Sequence, residues 1–319
     1  MAVLGVDVSK KTLDVTLIDE QDQKHQAQFK NHAQGLAALK TWLAQYEHEG
    51  LHICMEATNV YWEACAEFGY QQGWAVSVVN PRRIHGFAKS QMRRNKTDRE
   101  DSDIIADFCT REELRLWHPP TPEQRQLRAW VRHQRALQTS LTRHTNRLQT
   151  CKDPVVQASL ETLIKVLRTE IQQVEQAIHT LVHKSADLRQ QFAYLISIKG
   201  IGAKTAFILL AEMYDLAEYE NARAAAADAG VSPSHYCSGT SVKRRPHLSK
   251  VGKASVRAAL YWPAITAIQH NPLVRALAER LEDRGKPDMV IIGAAMRKLL
   301  HIAYGVLKNQ TYFDPHYAH

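Results

Sequence analysis

Residues 2–18 read AVLGVDVSKKTLDVTLI. Two apolar runs, 2–7 and 12–18, flank a short polar corner, and each reads as a strand. A polar turn at 19–23 and a third run at 25–29 follow, so the chain opens as consecutive strands. Outward from there the pattern changes. Residues 33–47 have helical periodicity, 51–56 form a short apolar strand, 61–72 a helix, and 75–79 a strand ended by Asn80-Pro81. A basic stretch without periodicity then leads to a helix from about 97 to 111. Three strands followed by alternating helix and strand predict a mixed sheet covered by helices.

Pro119-Pro120-Thr121-Pro122 is the clearest linker signal, and beyond it the pattern is helical. From 124 to 150, at about 100° per residue, Leu127, Trp130, Leu137, Leu141 and Leu148 share one stripe. Arg125, Arg128, Arg132, Arg135, Arg143 and Arg147 share the opposite one. Asp153 and Pro154 read as N-cap and first residue of a returning helix. Along it Val156, Leu160, Leu163, Leu167, Ile171, Val174, Ile178 and Leu181 repeat at heptad spacing, which predicts a coiled-coil hairpin. From 192 onward the chain is again helical, interrupted by a polar Gly/Ser/Pro loop at 230–252, and 290–308 reads as a core helix. The expected parts are 1–118, a mixed-sheet domain; 119–190, linker and hairpin; and 191–319, a mostly helical domain.

The chain has 319 residues, 45% of them apolar and 23% charged, which excludes disorder for most of it. The acids and lysines within the first twenty residues exclude a signal peptide, and no later run reads as a membrane span, so a cytoplasmic location is expected. Five scattered cysteines with no C-x-x-C pair argue against a disulfide framework or a thiolate zinc site. Net charge is +8. The excess is clustered: seven basic residues against one acid at 82–99, six arginines and no acid at 124–152, and six basic residues and no acid at 241–257. Clustered charge of this kind points to a nucleic-acid path. A solvated helix face is the alternative for the arginine row, but such faces alternate in sign, and this one does not.

Four acids carry candidate chemistry. Asp7 and Glu56 end apolar strands, and Asp98 and Asp101 lie three apart on one helix face. Carboxylates so arranged suit Mg²⁺ or Mn²⁺, and a metal pair about 3.5–4 Å apart serves phosphodiester chemistry. Asp103 and Asp107 fall on another side of that helix. Residues 195–206, LISIKGIGAKTA, resemble a helix-hairpin-helix, in which Gly200 and Gly202 let the chain turn and the next helix N-terminus, with Lys204, can face a phosphate or can simply be a packing junction. The loop 232–241, SPSHYCSGTS, runs into Lys243, Arg244 and Arg245; taken by composition its serines are turn formers.

Taken together, GVDVSK at 5–10, MEAT at 55–58, NKTDRED at 95–101, the Gly200-Ile201-Gly202 turn, YCSG at 236–239 and MRKL at 296–299 resemble, over nearly the whole chain, the DEDD transposases of insertion-sequence family one hundred and ten, related to the pilin-gene invertases. Cys237 departs from the pattern, in which a charged residue can precede the serine. The resemblance implies an N-terminal RuvC-like (RNase H-like) domain, a coiled-coil hairpin, and a C-terminal helical domain with a helix-hairpin-helix and a serine that becomes linked to DNA. Carried over by motif, the tetrad is Asp7, Glu56, Asp98 and Asp101, and the nucleophile is Ser238. Donor and target DNA, a bridge RNA that guides the protein, a dimer or tetramer and association with the nucleoid are implied with it. A RuvC-like nuclease using water and a non-catalytic nucleic-acid scaffold are the competing readings.

Overall fold

The computed structural model describes residues 1–46, 49–91, 98–234, 237–238, 242–243 and 247–316, the backbone alone at 98, 99, 237, 238, 242 and 243. It divides into two compact units, Met1–Pro119 and Pro120–His319.

In the first unit β1 (Ala2–Val8), β2 (Thr12–Ile18) and β3 (Lys24–Lys30) form an antiparallel meander, as the opening sequence requires. After α1 (Ala33–Leu43), β4 (Leu51–Glu56) pairs parallel to β1; after α2 (Glu63–Gln71), β5 (Ala75–Val79) pairs parallel to β4. The order β3-β2-β1-β4-β5 makes a mixed sheet, antiparallel on one side of β1 and parallel on the other. Alternate residues face opposite layers. Leu4, Val6, Ile53 and Met55 pack with Leu36, Leu39 and Cys65 of α1 and α2. Val3 and Cys54 pack instead with Ile104, Ile105 and Cys109 of α4 (Asp98–Arg111).

One helix was not legible. The basic stretch after Asn80 contains α3 (Pro81–Ser90), because Asn80, read as ending a strand, caps the helix by accepting from the Arg82 amide, and Pro81 is its first residue. Residues 92–97 lie outside the described residues.

The second unit begins with α5 (Pro122–Thr150), closed by a capping box between Thr121 and Gln124, so that the linker's last proline belongs to the helix. It returns as α6 (Pro154–Lys184), whose first amides donate to Asp153 as expected. The seam is rotated from the sequence register. Leu160, Ile164, Ile171, Ile178 and Val182 are its buried residues, whereas Val156 and Leu163 are exposed. Successive intervals of four and three fit either row, and the choice depends on where α5 lies. At its base the hairpin joins a larger core: Leu127, Val131, Ile178 and Val182 pack with residues of α7 (Ala186–Ile196), α8 (Ala203–Glu212), α9 (Ala222–Asp228), α10 (Ala254–His270), α11 (Pro272–Glu282) and α12 (Asp288–Asn309).

Helix α12 is, contrary to the sequence reading, long and apolar enough to cross a membrane. Its Ile291, Ala295, Leu299, Leu300 and Ala303 are core residues of this unit, which accounts for the composition. Between α9 and α10 the loop forms two nested antiparallel ladders, β6 (Pro233–Ser234) with β9 (His247–Leu248) and β7 (Cys237–Ser238) with β8 (Val242–Lys243).

Candidate active site

The acids of the first unit are positioned by one glycine. A Cβ on Gly5 would lie 2.3 Å from the Ala106 amide nitrogen and 2.4 Å from the Ser102 carbonyl oxygen. Only glycine lets α4 settle directly on β1. The buried Ser102 hydroxyl then meets Thr16 of β2 at 2.9 Å. Farther along, Asp103 and Asp107 bind Lys24 Nζ at 2.5 and 2.6 Å; they anchor the helix to β3, which explains why they stand apart from the other acids. Lys24 is opposite Ile18, and Ile18 is opposite Val3. Helix α4 therefore runs antiparallel to β1, with its first turn, containing the backbone of Asp98 and the half-buried Asp101, toward the Asp7 end of the strand.

Asp7 and Glu56 lie one residue beyond the paired Val6 and Met55 of adjacent parallel strands, on the face that carries α4. Both are half-buried. Thr58 Oγ1 donates to Glu56 Oε1 at 2.7 Å, an orienting contact that a search for acids alone misses, although Thr58 belongs to the same sequence motif. A further carboxylate was missed as well. Asp14 is opposite Asp7 across β1 and β2, is 4% exposed, and accepts from Gln28 Nε2 at 2.9 Å. Among the described residues no three His, Cys, Asp or Glu side chains form a metal cluster; the side chain of Asp98 is outside them. The donor chemistry, carboxylates at adjoining strand ends facing the first turn of α4, fits a hard divalent cation.

In the second unit the backbone of Ser238 is in β7, paired with Val242, and Lys243 is in β8. Arg244 and Arg245 lie outside the described residues. Gly200 has φ +106° between α7 and α8, Gly202 is the N-cap of α8, and Gly202 and Lys204 are both exposed. Asn271 Nδ2 donates to the Lys199 carbonyl at 3.1 Å, bracing that turn.

The arginines of α5 divide by their surroundings. Arg125 Nε donates to the Pro120 carbonyl at 3.1 Å. Arg132 is bound to Glu212 at the end of α8, Nε at 2.9 Å and Nη2 at 2.8 Å. Arg128 lies one turn before that pair, close enough for its charge to favour the Glu212 carboxylate. Arg135, Arg143 and Arg147 follow along the rest of the helix, on the far side of the pair from the linker.

Two family models match the chain, a DEDD IS110-type transposase domain over residues 4–156 and a transposase domain of the IS116/IS110/IS902 family over 193–279. The pilin gene-inverting protein of Moraxella bovis is 31% identical, with 98% of this chain and 97% of that protein aligned; its counterpart in Moraxella lacunata matches equally. The chain belongs to the IS110 family of transposases. As an IS110-family member it is a DNA recombinase, an enzyme that acts on DNA. The transposase of insertion element IS1111A from Coxiella burnetii is 22% identical across 84% of this chain and 78% of its own length. Among solved structures, T. thermophilus RuvC in complex with a Holliday junction substrate aligns over 37% of this IS110-family chain and all of its own, with 13% identity and a TM-score of 0.27.

Proposed function

We propose that this IS110-family recombinase cuts and rejoins donor and target DNA through a phosphodiester bond to Ser238. Asp7, Glu56, Asp98 and Asp101 would hold Mg²⁺ or Mn²⁺. A divalent cation bound there supplies polarisation of the scissile phosphate and stabilisation of the departing oxygen. The observation that carries this reading is the seating of α4 on Gly5, which turns the first turn of α4 toward the strand ends bearing Asp7 and Glu56.

In the reaction the Ser238 Oγ–P bond forms as a P–O bond of the DNA backbone breaks, and the serine proton ends on the departing oxygen. The bond energy stays in the serine ester, and a DNA hydroxyl reverses the step on the exchanged strand. That suits both transposition and the inversion for which the Moraxella relatives are named, because each rejoins what it cuts.

Residues 1–118, 119–190 and 191–319 would then be nuclease domain, hairpin and serine domain. Arg125, Arg128, Arg132, Arg135, Arg143 and Arg147, with Lys204, Lys243, Arg244, Arg245 and the Gly200–Gly202 turn, would form the nucleic-acid face. Backbone contacts position a duplex without reading it, so sequence choice is assigned to a bridge RNA. Exchange between two duplexes requires more than one active site, hence a dimer or tetramer, working at the nucleoid in the cytoplasm.

The test is peptide mass spectrometry of a complex trapped with Mg²⁺ on a nicked substrate. A nucleotide on Ser238, lost in Ser238→Ala but kept in Ser234→Ala and Ser241→Ala, is the expected result. Cleavage without any adduct would replace this mechanism by attack of water.

A further inference from the structure

We propose that Tyr219, Asp228 and Lys253 are positioning residues: they lock both ends of the loop that carries Ser238 and so hold its two ladders in register for reaction. The proposal rests on Ser238 as the nucleophile, but the lock itself is a matter of geometry.

Asp228 ends α9 and Lys253 caps α10, so the two residues are the gateposts of the whole 229–252 segment. They are joined twice. The Lys253 amide donates to the Asp228 carbonyl at 2.7 Å, and Lys253 Nζ lies 2.9 Å from Asp228 Oδ2. The phenol of Tyr219 donates to the same oxygen at 2.5 Å and lies 3.5 Å from Lys253 Nζ. Tyr219 is in turn held from behind: it is 7% exposed, and its carbonyl accepts from Tyr304 of the core helix α12 at 3.1 Å. The closure is tight enough to dictate the residue before Lys253. Gly252 has φ +132°, and a Cβ there would lie 2.0 Å from the Asp228 carbonyl oxygen. Inside the gateposts, Ser249 N donates to Ser232 O at 2.9 Å, the step that starts the β6–β9 ladder.

Among the described residues of the segment beyond, each strand is two residues long. Ladders that short do not hold themselves in register, so a directional lock at the base supplies a constraint that their own pairing does not, beside the packing of Leu248 on the core. An apolar contact would close the loop but would leave its twist free; a carboxylate gripped by an ammonium and a phenol fixes both gateposts in orientation. The Lys253 charge persists through the working range of pH. Burial would push the Lys253 ammonium toward neutrality, but Asp228, Tyr219 and Asp215 outweigh it and hold Lys253 protonated above its ordinary value. Burial, chiefly, keeps the Tyr219 phenol from ionising.

The experiment uses the full-length protein with Asp228→Asn, Lys253→Met and the milder Tyr219→Phe, and Lys253→Arg as the charge-conserving rescue. Amide hydrogen exchange should speed up in residues 231–251 and not in α8 or α12. At saturating DNA the rate of Ser238 adduct formation should fall about tenfold to a hundredfold in Asp228→Asn and Lys253→Met, with DNA Kd unchanged within about twofold and Lys253→Arg partly restored. Unchanged exchange and adduct rates in Asp228→Asn and Lys253→Met would overturn the proposal. So would faster exchange throughout the second unit, which would make the contact an ordinary element of stability. If the wild-type protein forms no adduct on Ser238, the reading of the nucleophile fails, and the exchange measurement still decides the lock.

Discussion

Arg132 grips both carboxylate oxygens of Glu212, Nε at 2.9 Å and Nη2 at 2.8 Å, and so ties the middle of α5 to the end of α8. The Glu212 side chain is 9% exposed and that of Arg132 is 50% exposed. Burial works against the Glu212 charge, yet the bidentate arginine outweighs it and holds the carboxyl below its ordinary 4.5. A depressed carboxyl stabilises the fold fully above its unfolded value and loses that contribution as pH falls through the folded one. Glu212→Gln should therefore lower stability at neutral pH by about 1–2 kcal/mol, half-exposed Arg132 discounting the buried-pair figure. It should also flatten the loss of stability below pH 4.5. Urea denaturation across pH measures both, and an acid limb identical to wild type would show that the pair contributes nothing.

Arg135, Arg143 and Arg147 lie on the same helix beyond that ion pair. Removing one phosphate-binding cation lowers the log-log salt slope of binding by about 0.7–0.9. The triple change to Gln should therefore reduce the slope by about 2–3 at unchanged stability, whereas Arg132→Gln should cost stability first. Binding to a DNA duplex and to structured RNA at several salt concentrations separates the two. An unchanged slope in the triple variant would make the row a solvated face.

Strands and caps were legible because their signals are local. The runs at 2–7 and 12–18 could only be strands, and Asp153-Pro154 could only begin a helix. What escaped depended on partners distant in sequence. Asn80-Pro81 ends β5 and starts α3 with the same two residues, so a strand terminator and a helix cap were indistinguishable until the helix was seen. The choice of Ile164 over Leu163 as the buried residue of α6 is made by α5, not by α6 itself. Among the acids, the strand-end positions of Asp7 and Glu56 were readable, but their common face follows from the β1–β4 register. The role of Gly5 was invisible, because a strand glycine reveals nothing of the helix that will lie upon it. Arg132 looked like its neighbours on the helical wheel, since Glu212 is 80 residues away.

Gly5→Ala tests how closely helix and strand must approach. The atoms it would meet, Ala106 N and Ser102 O, are backbone and cannot swing aside. Helix α4 must lift, at a cost of about 1–3 kcal/mol, and Asp98 and Asp101 must move with it relative to Asp7. DNA cleavage should be lost even below the melting transition. Gly86→Ala is the control: it is helical with nothing within 4 Å of the added methyl, and should gain up to about 1 kcal/mol from helix propensity with activity intact. A Gly5→Ala protein that cleaves at the wild-type rate would show that the approach of α4 to β1 is irrelevant to the site.

Thr58 offers the finest probe of the acids, because it touches a proposed ligand without being one. Its hydroxyl donates to Glu56 Oε1 at 2.7 Å, and its amide donates to the Glu56 carbonyl at 2.8 Å, so backbone and side chain together fix the direction of that carboxylate. Thr58→Val keeps the shape, the β-branch and the backbone contact and removes the hydroxyl alone. If Glu56 binds a cation, loss of an orienting hydrogen bond should raise the Mg²⁺ concentration needed for half-maximal cleavage by about tenfold to a hundredfold. DNA binding should be unchanged, and excess Mg²⁺ should restore the rate. Glu56→Ala removes the ligand itself and should not be rescued at any Mg²⁺ concentration. The contrast between the two variants carries the inference: a purely structural hydrogen bond would lower the melting temperature in Thr58→Val without shifting the Mg²⁺ titration. An unshifted titration with full activity in both variants would remove Glu56 from the metal site.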